Sequence, residues 1–373
     1  MVRSVRHDML PVHTHDEAAR QQYVVAFKQF LNRHVRPTNR RVFAAQAAPA
    51  FAASHGHAPA SRQEIRASMY ANPRYRSWCA FNRSAQELMW DALADTIERE
   101  RPQLAVRAAR YMKASDRKGS LDLDPDFVPP KDVTTVDIHL QPGGYALDLG
   151  DDDVVAGAFY ESGGNLYAFG QGIRRNDSKA AAVQAFLRER HPGLEPKRIL
   201  DMGCSAGSAT VPYAEAFPEA EVHGIDVGAG MLRYAHTRAE ALGLPVHFHQ
   251  MDAAATRFPD GHFDLIVSHN MLHEISASTL KAVMRETHRL LAPGGICVHQ
   301  DVPLRFDKLT EYDRFEYSWD TKNNNEPFWE AYANADLAGA LIAAGFAPDD
   351  VYEGHLTAAA GSLPWFVGTA VKR

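Results

Sequence analysis

The chain has 373 residues, 45% of them hydrophobic, and its 40 Lys and Arg are outnumbered by 46 Asp and Glu. That is the composition of an ordinary soluble globular protein, and at ~100–200 residues per domain it allows two domains with a sizeable core. No apolar run reaches the ~18 residues a membrane span needs, so no membrane partner is expected. The start, "MVRSVRHDMLPVHTHDEAAR", lacks the apolar stretch of a secretory signal, and its acids argue against a transit peptide. Three cysteines far apart in the chain, Cys79, Cys204 and Cys297, fit reduced thiols and a cytoplasmic location. Charge is unevenly spread: up to about residue 120, Lys and Arg outnumber Asp and Glu two to one, and the remainder is acidic. Arg33, Arg36, Arg40, Arg41, Arg74 and Arg76 are scattered and carry no RNA-binding signature. A solvated basic face is therefore preferred over an anionic ligand, and both over nucleic acid.

Residues 1–18 read as a flexible tail. From 19 to 132 the pattern is helical, clearest in "RSAQELMWDALADTIERER", where Ala85, Leu88, Met89, Ala92, Leu93 and Ile97 recur on one helix face. Pro102 marks a break or a new helix start. "ASHGHAPASRQ" and "LDLDPDFVPPKD" read as loops, because Pro, Gly, Ser and Asp cluster in them. Between 133 and 178 the expectation is a β-hairpin or flap connector. "TTVDIHL" alternates, "QPGGY" turns, and "VVAGAFYE" and "LYAFGQGI" flank the turn signal "SGGN".

From 179 to 373 strands and helices alternate. The strand cores are "RILDMG", "EVHGIDV", "VHFHQMD", "FDLIVSHN" and "GICVHQDV". That order predicts an α/β, doubly wound parallel sheet behind a mainly helical N-terminal domain. "DVYEGHLTA" and "PWFVGTAVKR" make a final pair with an antiparallel edge.

In such a sheet ligands sit beyond the carboxyl ends of strands at the switch point. Asp201, Gly203, Ser205 and Gly207 lie on the first of these strands and the turn after it, where small residues admit a ligand to the backbone and a helix start follows. The spacing Gly-x-Ser-x-Gly also matches a hydrolase nucleophile elbow, but it stands on the first strand with many still to come. Asp226, ending the next apolar strand, suits a pair of ribose hydroxyls and leaves both NAD and S-adenosylmethionine open. Asp252 ends the third strand. The bland alternative is that these acids are helix caps and strand-end polar groups.

Over about residues 190–373 the sequence resembles the class I S-adenosylmethionine-dependent methyltransferases, with a Rossmann-like sheet. The resemblance implies S-adenosyl-L-methionine as cofactor and S-adenosyl-L-homocysteine as product. "ILDMGCSAG" matches the motif around the methionine part of the cofactor, "GIDV" places Asp226 on the ribose, and "MDAAA" places Asp252 and Ala253 at the adenine. Val227, Met231, His269 and Asn270 complete the implied cofactor set. "FDLIVSHNMLHEI" and "HRLLAPGGICV" match the fourth-strand motif and the helix, turn and fifth strand after it. Ser205 departs from the glycine of many members, and serine is accommodated there if its φ is negative.

"MLHEIS" puts His273 and Glu274 near the sulfonium end, and is similar to the "LHDWS"-like segment of plant-type small-molecule O-methyltransferases, where the His is the general base. A neutral imidazole suits that role, with Glu274 as its orienting or substrate-binding partner; the alternative is that His273 only shapes the pocket. The aromatic and amide-rich segment 305–335 reads as a substrate lid, with Tyr317, Trp319, Asn324, Asn325 and Trp329 as substrate contacts. Tyr145, Tyr160 and Tyr167 are candidates from the flap. The tight pairs in "HTHD" (His13, His15) and "HGH" (His55, His57) read as surface histidines, so no metal site is expected. Methyl transfer to a small-molecule O or N acceptor follows, with the helical region closing the site or forming a homodimer. Two rivals remain: another reaction on the same fold, and a cofactor-binding regulatory or assembly protein.

Overall fold

The structure is a computed structural model that describes residues 6–167, 178–303, 305–356 and 365–373. Eight strands form one sheet: β1 (Ser120–Asp122), β2 (Arg198–Met202), β3 (Glu221–Asp226), β4 (His247–Gln250), β5 (Phe263–His269), β6 (Leu291–Asp301), β7 (Val351–His355) and β8 (Phe366–Val371). Their order is β1-β4-β3-β2-β5-β6-β8-β7. All neighbours are parallel except β8, which runs antiparallel to β6 and β7. The order reverses at β2, with β3 on one side and β5 on the other, so a ligand crevice opens beyond their carboxyl ends. The central strands are apolar without interruption because helices cover both faces. Ile199, Leu265 and Val267 enter one core, and Leu200, Met202 and Ile266 the other.

The N-terminal region is helical as the periodicity indicates, with two differences. The helix Pro73–Met112 passes straight through Pro102, because its buried face continues on both sides in Ile97, Leu104 and Ala108. The stretch read as a tail is anchored by buried residues at His7, Met9 and Pro11. A Thr14–Glu17 capping box starts the helix His15–Phe30. Before it, Met9 is fully buried, and His7 Nε2 lies 3.2 Å from Glu161 Oε1.

The connector is not a hairpin. "VAGAFYESGGNLY" forms the helix Val155–Tyr167; residues 168–173 of the expected second strand lie outside the described residues. Of the two glycines that suggested a turn, Gly163 serves close packing, since a Cβ there would lie 2.5 Å from the Trp90 ring, while Gly164 faces open space. Gly157, in the expected first strand, is also close-packed, a Cβ there lying 2.2 Å from Tyr234. "TTVDIHL" likewise forms no strand: the helix Lys131–Thr134 ends there, and a short turn Ile138–Leu140 follows. The presumed loop contributes β1 instead, pairing with β4. Gly119 is required at its entry, since a Cβ would meet Val246 O at 2.0 Å.

Residues 306–335 hold three short helices, Glu311–Tyr317, Trp319–Asn323 and Trp329–Ala333. They dock on the N-terminal helices through Tyr75 on Phe315 and Trp78 on Trp319, with ring centroids 5.4 and 5.6 Å apart. Ion pairs surround this contact and take up part of the basic excess of the N-terminal half. Arg36 meets Glu316, Arg40 meets Asp313, and Arg62 and Arg66 share Glu330. These basic residues of the N-terminal half face acids of the same chain. The three cysteines are free and buried, and no described helix is long and apolar enough to cross a membrane.

Candidate active site

A cleft opens at the carboxyl ends of β2, β3 and β5. Its floor is the turn after β2. Gly203 N and Cys204 N both donate to Ile225 O at 2.9 Å, and Ser205 N donates to Asp226 Oδ2 at 2.9 Å, so the turn is bound to the end of β3. Gly203 has φ +70, and a Cβ there would lie 2.7 Å from Met271 Sδ. Only glycine leaves this cradle open. Ser205 has φ +49, not the negative value expected of a tolerated serine. The tether to Asp226 holds it in the left-handed region at a cost of about 1 kcal/mol.

Asp226 lines the cleft. Its Oδ1 accepts from Gly228 N at 3.0 Å and its Oδ2 from Ser205 N, while burial pushes the carboxyl up. Each oxygen keeps a second lone pair for a ligand hydroxyl. Val227, Met231, Asp252 and Ala253 line the same end, with Asp252 Oδ1 fixed by Ala254 N at 2.8 Å. Asn270 also lines it, at φ 55, bonded through its backbone and side chain to Gln300.

Three residues assigned to the cofactor lie behind the lining. Asp201 is buried on β2, where it accepts from Thr210 Oγ1 at 2.6 Å, and burial pushes its carboxyl up to about 7. Its Oδ1 has no hydrogen-bond partner among the described residues. Gly207 packs against Phe248 and Ala235. His269 is enclosed between Tyr213 and Gln300, and burial drives its imidazole down to about 3, so it is neutral.

Tyr145, Tyr160 and Glu274 also line the cleft. The Tyr145 hydroxyl donates to Glu274 Oε1 at 2.9 Å, and Tyr160 packs edge-on against Tyr145. The same Glu274 oxygen lies 2.8 Å from His139 Nε2 and 3.3 Å from His273 Nε2. His273 Nδ1 donates to Asp301 Oδ1 at 2.5 Å, and His139 Nδ1 lies 2.9 Å from Glu326 Oε1. Burial alone would lower both imidazoles, but the flanking carboxylates outweigh it. His273 is pushed up to about 10 and His139 well above the ordinary histidine range. Burial would raise Glu274, yet the two imidazoles hold it well below the usual carboxylate range. The expectation of a neutral His273 ready to take a proton therefore needs correcting: both its ring nitrogens face carboxylates, and it sits behind the wall that Glu274 presents.

The lid residues divide. Trp329 meets His273 edge-on at 5.3 Å, and Asn324 Nδ2 donates to Glu326 Oε1 at 2.6 Å, so both reach the cluster. Trp319 is buried against Trp78, Tyr317 lies under Arg36, and Asn325 donates to Asp137 O. Tyr167 packs edge-on to His139 and is partly exposed. None of these four lines the cleft. Sequence reasoning missed His139, Asp301 and Glu326. Asp301 was visible as the acid ending the strand "GICVHQD"; His139 was hidden in a stretch read as a strand.

The family model for a methyltransferase domain matches residues 199–295. The demethylmenaquinone methyltransferase of Thermus thermophilus is 39% identical over 108 residues, 29% of this chain and 48% of that protein. Phosphoethanolamine N-methyltransferase 1 of Arabidopsis thaliana is 31% identical over 140 residues, 36% of this chain and 27% of that protein. The chain thus spans less than half the length of these curated relatives. Among solved structures, the Haemonchus contortus phosphoethanolamine N-methyltransferase 2 in complex with S-adenosyl-L-methionine aligns with 51% of each chain. It does so at 18% identity and a TM-score of 0.40, too partial a likeness for any chemistry to rest on it.

Proposed function

Because residues 199–295 form a methyltransferase domain of the class I S-adenosylmethionine-dependent family, we propose that this protein is an enzyme that methylates a small-molecule O–H or N–H acceptor. One observation carries the reading: a single cleft is lined both by the Asp226 and Asp252 carboxylates and by the hydrogen-bonded Tyr145–Glu274 pair. The cofactor, S-adenosyl-L-methionine, supplies an electrophilic methyl group on a sulfonium when bound.

The residues present fit that group. Gly203 keeps the backbone bare at the cradle, and the free lone pairs of Asp226 suit two ribose hydroxyls. Asp252 beside Ala253 offers an acceptor next to an apolar face, as an adenine amino group and ring require. Asp201, Gly207 and His269 support the turn and strand ends from behind.

The acceptor end works by alignment. Glu274 Oε2 is buried without a hydrogen-bond partner, so an acceptor O–H or N–H donating to it is oriented along the cleft. The Tyr145 and Tyr160 rings narrow the approach. His273 is a positioning residue: clamped between Asp301 and Glu274, it fixes the carboxylate that faces the acceptor. The lid and the N-terminal helices cover this end and exclude water.

Incubating the purified protein with S-adenosyl-L-methionine and a fractionated metabolite extract tests the reading. The expected result is S-adenosyl-L-homocysteine formed one-for-one with a methylated product. Cofactor binding without turnover on any fraction would sink it in favour of a regulatory role.

A further inference from the structure

His139, His273 and Glu274 are brought together from positions up to 135 residues apart, and their ligand-capable atoms all lie within 4.8 Å of one another. His139 Nε2 and His273 Nε2 stand 2.8 and 3.3 Å from Glu274 Oε1. Donors bound at ~2.0–2.1 Å to one zinc-like ion lie ~2.8–3.4 Å apart for octahedral to tetrahedral angles, so both separations suit a shared ion. Asp301 accepts from the far nitrogen of His273, the arrangement by which a metal-bound histidine is oriented and made a better donor. Glu326 Oε1 stands 2.9 Å from His139 Nδ1 without forming a hydrogen bond to it.

Both outer carboxylates are anchored in turn. Asp301 Oδ2 accepts from Leu272 N at 2.8 Å, and Glu326 Oε1 from Asn324 Nδ2 at 2.6 Å. One further feature fits an ion better than a bare ion-pair network: Glu274, over nine-tenths buried, keeps an oxygen with no hydrogen-bond partner among the described residues.

We infer that His139, His273 and Glu274 form a binding site for a divalent first-row transition ion, with Asp301 orienting the His273 imidazole and Glu326 beside that of His139. Two imidazoles and one carboxylate are a donor set of zinc, iron(II), manganese and cobalt. The ion displaces the protons between the rings and the carboxylates, as at any histidine site. Glu274 lines the cleft, so open coordination positions face the acceptor end. Resting on the methyl-transfer reading, the acceptor class is then a molecule that binds a metal through the heteroatom to be methylated, such as a hydroxyl beside a carbonyl or carboxylate. Coordination lowers the pKa of that hydroxyl.

The test uses the full-length protein, stripped with a chelator and titrated with Co²⁺ alone while the visible d–d absorption is read. About one equivalent should bind, zinc should displace it, and His139→Ala should weaken binding by ~100-fold or more. Glu326→Gln, which keeps all three ligands, should weaken it by roughly 10–100-fold, and covers the case in which His139→Ala does not fold. No cobalt spectrum in the wild-type protein, or equal binding in the folded variants, overturns the inference. Calorimetric binding of S-adenosyl-L-methionine is measured on the same samples. If it fails while cobalt binds, the methyl-transfer reading falls and the metal site stands.

Discussion

The backbone N–H of Ser205 donates to Oδ2 of Asp226 across 2.9 Å, joining the turn after β2 to the carboxyl end of β3. The acid that faces the cleft therefore also holds the cradle beside it in shape. Asp226→Ala removes both the ligand acceptor and the clamp on Ser205 and Gly228. At ~1.5–3 kcal/mol per hydrogen bond to a charged group, S-adenosyl-L-methionine affinity should fall by at least ~100-fold by calorimetry. An affinity within twofold of wild type would refute the assignment.

Ser205 itself lies at φ +49, where glycine is free of strain. Ser205→Gly should raise stability by up to about 0.6 kcal/mol, the relieved strain less the added freedom of the unfolded chain. A denaturation midpoint that falls would show that the serine side chain contributes something the backbone geometry does not reveal.

Glu161 is buried between His7 and Arg238 and accepts from the Tyr234 hydroxyl at 2.6 Å. Burial raises its carboxyl, but Arg238 and His7 outweigh that and hold it down to about 2 from 4.5. A carboxylate depressed in the folded state contributes stability that is present above the unfolded value and lost as pH falls towards the folded one. The contribution, a few kcal/mol, should therefore disappear between about pH 4.5 and 2. Glu161→Gln should flatten the acid limb of melting temperature against pH. It should also cost about 3–5 kcal/mol at neutral pH by leaving Arg238 buried and unpaired. The same acid limb in both proteins would exclude this pair as its source.

Trp78 and Trp319 join the N-terminal helices to the lid at 5.6 Å between centroids. Trp78→Ala should destabilise by about 3–5 kcal/mol. Amide exchange at 311–323 should rise more than exchange in β2 and β5. Uniform acceleration across the chain would mean that the lid is not a separable unit.

His273→Gln should lower turnover by ~100-fold or more while leaving S-adenosyl-L-methionine affinity near wild type, since His273 touches Glu274 and not the Asp226 end. A parallel loss of cofactor affinity would place it in cofactor binding instead.

The elements legible in the sequence were those whose signal is local. β2, β3, β4, β5 and β6 announced themselves by apolar runs, and Asp226 and Asp252 by ending them. The helix Val155–Tyr167 was misread because the Gly163–Gly164 pair looks like a turn until Trp90 is seen pressed against Gly163. β1 is three residues long with no alternation to detect, and exists only because β4 offers an edge.

The sequence by itself determined a doubly wound sheet with a ligand cleft at the ends of its strands, because strand periodicity and strand-end acids are written in consecutive residues. Only the tertiary structure decided what stands at the far end of that cleft. His139, His273, Glu274, Asp301 and Glu326 come from four separate segments, and no spacing rule connects them. Their meeting depends on the connector, the lid and the end of β6 all packing at one place. That convergence is a property of burial and distance that no single stretch of the chain contains.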